Sequence, residues 1–256
     1  MTLDAPPVAI PAATLVILRA RAGAPPDLLM VERARAMAFA GGALVFPGGR
    51  VDSGDHALAQ RLGSDDAEGE TAARIAAIRE TIEEAGVPMG LSPMPAAATL
   101  DRLRADLADG MAFAEALDRA GCAIDPAVLV AFARWRPAHR ASRIFDTRFY
   151  LVAWPDGLGE PQVDRTENVR LLWASAATVL ADADAGRVAI IYPTRRNLER
   201  LARFAGFAAA AADAAAHPVR TITPFEDERD GVRHLCIPEG LGYPVTSEPF
   251  DQAVRG

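Results

Sequence analysis

Three carboxylates, Glu80, Glu83 and Glu84, stand within a five-residue stretch of the sequence. On a helix advancing about 100° per residue they fall within an arc of about 100°, opposite a stripe of Ile75, Ile78, Ile82 and Ala85. Glu80 and Glu84 are like charges at i, i+4, which is mildly unfavourable unless a cation lies between them. Clustered oxygen donors without Cys or His suit Mg2+ or Mn2+ better than zinc. Arg79 lies at i, i+4 from Glu83, where it can pair with that side chain and orient it. The plain alternative is a solvated acidic face, since Glu is a good helix former. Upstream, Pro47-Gly48-Gly49 ends a short apolar run. Glycines there serve a turn, or let the chain pass close beside the carboxylate helix and a phosphate.

The elements that must position these residues are legible in outline. Residues 1–13 read as a loose tail. Thr14–Arg19 and Leu28–Val31 read as a hairpin across the Gly/Pro segment Ala22–Pro26, and Ala43–Phe46 as a short strand. His56–Leu62 suggests a short helix followed by an acidic loop. Glu70–Ala85 is the clearest helix, stopped by Gly86. Leu100–Gly121 reads as one or two helices. Val128–Trp135, Phe145–Trp154 and Val169–Trp173 read as strands, Ala174–Ala185 and Thr194–Ala216 as helices, and Val219–Tyr243 as a hairpin around Asp230-Gly231. The alanine run Ala208–Ala216 reads as the end of a surface helix. Strands interspersed with helices, with no repeat and no dividing linker, predict one α/β or α+β domain over 14–256.

The bulk numbers narrow the partners. The chain has 256 residues, half of them hydrophobic, with a formal charge of -7. Such a chain has no overall positive field to draw it to nucleic acid or an anionic membrane, so an anionic substrate must be met by a local patch or a bound cation. Arg134, Arg136, His139, Arg140, Arg143 and Arg148 form such a patch in sequence. The two cysteines, Cys122 and Cys236, are far apart and read as reduced thiols. No leader-like N-terminus and no apolar run of about 20 residues is found, so a cytoplasmic location is the default expectation. The tryptophans Trp135, Trp154 and Trp173 read as packing residues rather than stacking platforms for a base.

The series Gly49…Asp55…Arg79-Glu80-Thr81-Ile82-Glu83-Glu84-Ala85-Gly86-Val87 resembles the Nudix box, G-x5-E-x7-R-E-U-x-E-E-x-G-U, in which U is a bulky apolar residue. Three departures stand out. The box glutamate is Asp55, Thr81 replaces a bulky apolar residue, and the 23 residues 56–78 stand where the family has seven. Glu70, separated from Arg79 by eight residues, is an alternative for the box acid. The long insertion and the opening Phe46-Pro47-Gly48-Gly49-Arg50-Val51-Asp52 resemble the branch that includes peroxisomal coenzyme A diphosphatases. So do the helical segment at about 99–121, the stretch Arg143–Tyr150 and the Pro193-Thr194-Arg195-Arg196 turn.

The resemblance implies an α/β/α sandwich with a mixed sheet and extra helices. It also implies hydrolysis of a phosphoanhydride in a nucleoside diphosphate derivative, with Mg2+ or Mn2+ as cofactor. Glu80, Glu83 and Glu84 match the metal-binding glutamates, Arg79 the arginine that orients them, and Gly48 and Gly49 the loop glycines. Glu167, six residues before Trp173, matches a further ligand or base, with Glu160 and Asp164 nearby. Arg143 and Arg148 are the candidates for holding substrate phosphate. Coenzyme A is the first substrate guess, since its extra 3′-phosphate gains from guanidinium groups. The implied partner is a small nucleoside diphosphate compound, not nucleic acid or membrane, and a homodimer stays open. A catalytically silent module of the same fold that binds a nucleotide metabolite is the competing reading.

Overall fold

The computed structural model describes residues 9–37, 40–137, 144–163 and 168–253. Along the chain lie β1 (Ile10–Arg21), β2 (Ala24–Arg33), β3 (Leu44–Val45), β4 (Gly48–Arg50), α1 (Ser53–Arg61) and α2 (Glu70–Ala85). Then come β5 (Leu91–Ser92), α3 (Ala97–Ala108), α4 (Phe113–Ala120), β6 (Ala123–Ile124), β7 (Val130–Trp135), β8 (Phe145–Ala153) and β9 (Asn168–Ser175). The last third holds α5 (Ala176–Asp184), α6 (Tyr192–Leu201), α7 (Phe207–Ala216), β10 (Thr221–Ile222), β11 (Phe225–Arg229), β12 (Val232–Cys236), β13 (Ser247–Pro249) and α8 (Phe250–Ala253).

The main sheet runs β10-β7-β8-β1-β2-β3, with β4 paired to β1 and β9 to β2. β1 pairs β8 in parallel and β2 antiparallel, so the sheet is mixed. Side chains alternate across a strand, and β1 shows the result: Leu15 and Ile17 join a core built with α1 to α4, while Val16 and Leu18 join one built with α5 to α7. Helices therefore cover both faces, as the expected α/β/α sandwich requires. Among the described residues, no helix is long and apolar enough to cross a membrane. Both cysteines are buried free thiols.

Several expectations need correction at their edges. Ile10–Ala13 are not tail but the first residues of β1, which the parallel ladder to β8 holds from Ile10↔Phe145 onward. The short helix expected at His56–Leu62 starts earlier, at Ser53, and ends at Arg61, so residues 56–78 hold most of α1 and the first half of α2. Thr194–Ala216 is two helices, because the chain turns at Ala202–Phe204 and Gly206 precedes a fresh start. The alanine run does end a surface helix, exposed at Ala208, Ala209, Ala212, Ala215 and Ala216, with Ala210 and Ala214 turned inward as its buried stripe. The late hairpin does turn at Asp230-Gly231, with φ of 51° and 77°, the paired positive values that a tight two-residue hairpin needs.

The helix α2 is the centre of the sheet-to-helix packing. Ile75, Ile78 and Ile82 are completely buried, and so are Ala73, Ala76 and Ala77 beside them. Small residues on the flanks let α2 lie close to β1 and α1 at once. Truncating Ile75 to Ala should cost about 2–5 kcal/mol through lost burial and a residual cavity. Leu62→Ala, at a position 46% exposed, should stay within about 0.5 kcal/mol. Urea unfolding of the two variants checks this, and equal effects would contradict the placement of the core.

Candidate active site

Arg79 is the hub of the carboxylate cluster. Its Nε and Nη2 donate to the two oxygens of Asp55 at 3.0 and 2.9 Å, and Nη2 also donates to the Arg50 carbonyl at 3.0 Å. Nη1 donates to Glu80 Oε1 at 3.0 Å and to Glu83 Oε1 at 2.9 Å. One guanidinium thus ties α1, β4 and two turns of α2. Burial opposes the Arg79 charge, but Asp55, Glu80 and Glu83 outweigh it and hold it protonated. Burial likewise pushes the Asp55 carboxyl up, with Arg79 acting against that rise.

Asp55 owes its position to the start of α1. Asp52 caps that helix, its carboxylate accepting from the Gly54 and Asp55 amides, while Asp55 accepts from the Asp52 amide at 3.0 Å. This reciprocal pair satisfies helix-start amides and fixes the turn. Asp55 is therefore not a loosened box acid: it is 1% exposed and locked to Arg79. Glu70 is elsewhere, paired with Arg74 and Arg148 at the first turn of α2.

The glycines bring the backbone against the carboxylates. The Gly48 amide donates to Glu84 Oε2 at 2.9 Å. A Cβ on Gly49 would collide with the Glu80 carboxylate, and one on Gly48 with the Ala13 carbonyl. The edge β4 strand therefore passes at a distance from α2 that only glycine allows. The other Glu84 oxygen faces Arg33 on β2, 3.8 Å away. Gly86 ends α2 at φ 63°, its amide returned to Ile82. The carboxylate face of α2 is thus no solvated surface: Glu84 is 5% exposed and the Glu80 side chain 18%. Burial, together with the nearby Glu83 and Glu84 charges, lifts the Glu80 carboxyl to about 8 despite Arg79.

Glu80, Glu83 and Glu84 could hold a divalent cation. Among the described residues no three acidic, His or Cys side chains stand as a ready cage, because Arg79 bridges Glu80 to Glu83 and the Gly48 amide holds Glu84. The donor set still fits Mg2+ or Mn2+: all ligands are hard oxygens, and their mutual repulsion at Glu80 is what a cation relieves. The structure does not bring Arg148 to these carboxylates. Its Nε pairs with Glu70 at 3.1 Å and its Nη2 donates to the Glu68 carbonyl at 2.8 Å. Glu70 lies ten residues before Glu80, roughly 15 Å along the helix. Arg134 is held by both oxygens of Asp146. Glu167, Asp164, Arg143, Arg140 and His139 lie outside the described residues. Glu160 is exposed, accepting from Arg19 and from the Trp173 indole. Arg33 and Arg104, which contact the cluster or its helix, carried no signal in the sequence.

The raised Glu80 carboxyl sets a pH dependence with a definite sign. Between its ordinary value of 4.5 and about 8, folded Glu80 keeps a proton that the unfolded chain has lost. The folded state binds more protons, so metal-free stability falls as pH rises through that window. Thermal midpoints of the metal-free protein from pH 5 to 9 should decline more steeply than those of Glu80→Gln. Parallel curves would contradict the assignment.

No family model matches the chain. The Caenorhabditis elegans protein that carries the name nudix hydrolase 7 is 29% identical over 181 residues, covering 69% of this chain and 56% of that protein. This chain thus spans little more than half the length of that relative. The crystal structure of a NUDIX hydrolase from Alicyclobacillus acidocaldarius superposes with a TM-score of 0.71 at 30% identity, covering 81% of this chain and 97% of that one. With the box residues gathered on α2 and around Arg79, and a solved relative matched almost end to end, the chain belongs to the Nudix hydrolase family.

Proposed function

We propose that this protein hydrolyses a phosphoanhydride bond in a nucleoside diphosphate derivative, with Mg2+ or Mn2+ held by Glu80, Glu83 and Glu84. The observation that carries the reading is the set of three carboxylates on the last turns of α2, with Glu80 and Glu83 held by one buried arginine, Glu84 by the Gly48 amide, and Gly49 close against Glu80. A non-catalytic binding module would not require that degree of preorganisation.

The substrate is polyanionic, so an attacking water meets electrostatic repulsion. A bound divalent ion would neutralise phosphate charge and acidify the water. The chain's own residues do the rest. Arg79 fixes the rotamers of Glu80 and Glu83, so little reorganisation is left for the moment of reaction. The Gly48 amide fixes one oxygen of Glu84. Glu80 holds its proton up to about pH 8 without metal and must release it when a cation binds. Gly49 keeps the space beside Glu80 free of side chain. Glu167 is retained as a proposed base or additional ligand on the strength of the family pattern.

Coenzyme A stays the first substrate guess, on the branch resemblance. Its second support, the arginine cluster, is weaker, since Arg134 and Arg148 are engaged by Asp146 and Glu70 away from the carboxylates. The experiment is a comparison of kcat/KM for coenzyme A, NADH, ADP-ribose and a diadenosine polyphosphate with Mn2+, in wild type and Glu84→Gln. At least one compound should be cleaved, with Glu84→Gln losing a hundredfold or more in kcat. Coenzyme A ranking tenfold below another compound would reject the substrate guess alone. Cleavage of none, or full activity in Glu84→Gln, would reject the proposed function.

A further inference from the structure

Outside the box, one side chain contacts both the carboxylate helix and the loop that flanks it. Arg104 is carried on α3, in the helical segment that precedes β7. Its Nη2 donates to the Glu83 carbonyl at 2.9 Å and to the Gln162 carbonyl at 3.0 Å. The Gln162 amide in turn donates to the Ala85 carbonyl at 2.8 Å. The guanidinium lies against Gly86, where an added Cβ would come within 3.1 Å of Nη1 and 3.4 Å of Cζ. Three segments distant in sequence, the end of α2, α3 and the loop after β8, therefore meet at one planar cation.

The physical sense of that meeting is specific. The last turn of a helix has carbonyls with no intrahelical partner and carries partial negative charge. In α2 that turn carries Glu83 and Glu84. Arg79 holds the side chain of Glu83 from one side, and Arg104 holds its carbonyl from the other. Both bonds come from one terminal nitrogen, Nη2, whose two hydrogens the rigid guanidinium plane aims in fixed directions; a lysine ammonium sits on a stem one bond shorter and more flexible. Gly86 has a second reason to be glycine: besides its positive φ, it leaves room for Arg104.

We infer that Arg104 is a positioning residue of the catalytic centre, fixing the last turn of α2, and so Glu83 and Glu84, against the loop at Gln162. The role rests on the proposed function, because it assumes that those glutamates hold the metal. It makes the helical segment 97–120 part of the active unit and not only an appendage to it.

The test uses Arg104→Met, which keeps the aliphatic stem and removes the donors, and Arg104→Lys, which keeps the charge but is one bond too short to place a nitrogen where Nη2 stands. Arg119→Met serves as control: it breaks an exposed pair with Asp106 in the same α3–α4 layer. Mn2+ affinity is read from the electron paramagnetic resonance signal of free Mn2+, alongside kcat and KM on the best compound of the substrate panel. Amide hydrogen exchange of the metal-free proteins is followed over residues 80–86 and 155–163. Arg104→Met should weaken Mn2+ binding at least fivefold, lower kcat about tenfold with KM within threefold, and speed exchange in both segments. Arg104→Lys should fall between it and wild type, and Arg119→Met should match wild type. Wild-type affinity and kcat in Arg104→Met would overturn the inference; if that variant does not fold, wild-type values in Arg104→Lys would do so. A wild-type protein that binds no Mn2+ would instead sink the proposed function, and this inference with it.

Discussion

A buried guanidinium is the constraint on which the rest of this structure depends. Arg79 is 8% exposed, and taking such a charge out of water costs several kcal/mol unless its donors are matched. The fold matches them from three directions: the Asp55 carboxylate of α1, the Arg50 carbonyl of β4, and Glu80 and Glu83 of its own helix. Each of those elements is then committed to one position. The capped start of α1 must place Asp55, the edge strand must bring its carbonyl inward, and α2 must not rotate.

The two glycines and the two cores follow from the same requirement. For β4 to reach Arg79 it must run against β1 and α2 at once, which leaves no room for a Cβ at Gly48 or Gly49. For α2 to stay in place under that strand, its opposite face is filled with isoleucine and alanine against the sheet and α1. The cluster sets Asp55, Glu80, Glu83 and Glu84 against Arg79 and Arg33, and burial, joined by the Glu83 and Glu84 charges, raises the Glu80 carboxyl. Clustered, partly buried carboxylates beside a backbone with no side chain in the way are what support the proposed divalent cation and phosphate.

The sequence made most of this readable where local chemistry decides the outcome. Helix α2 keeps the bounds Glu70–Ala85 because an apolar stripe and a stopping glycine both act within one segment. The same holds for the Asp230-Gly231 turn. What could not be read depends on contacts between distant segments. The conversion of Ile10–Ala13 from tail to strand rests on pairing with Phe145–Arg148, more than a hundred residues away. Asp55 and Arg79 are separated by 23 residues, and only the fold, running back through α1, closes the pair. Arg148 sat in a basic run that resembled a phosphate clamp, but β8 points it at Glu70. Arg104 left no pattern at all, since a single arginine on a charged helix looks like any other surface residue until the fold places two carbonyls in front of it.

One planar, multiply bonded cation thus organises Asp55, Glu80 and Glu83 for the proposed chemistry. Arg79→Lys tests it most directly: the charge stays, but a lysine cannot serve Asp55, Glu80, Glu83 and the Arg50 carbonyl together. The measurement is kcat for hydrolysis of the best nucleoside diphosphate substrate with saturating Mn2+, on variant protein shown to be folded by circular dichroism. A loss of roughly a hundredfold or more is expected, the scale of a misplaced catalytic group. Activity within threefold of wild type would contradict it.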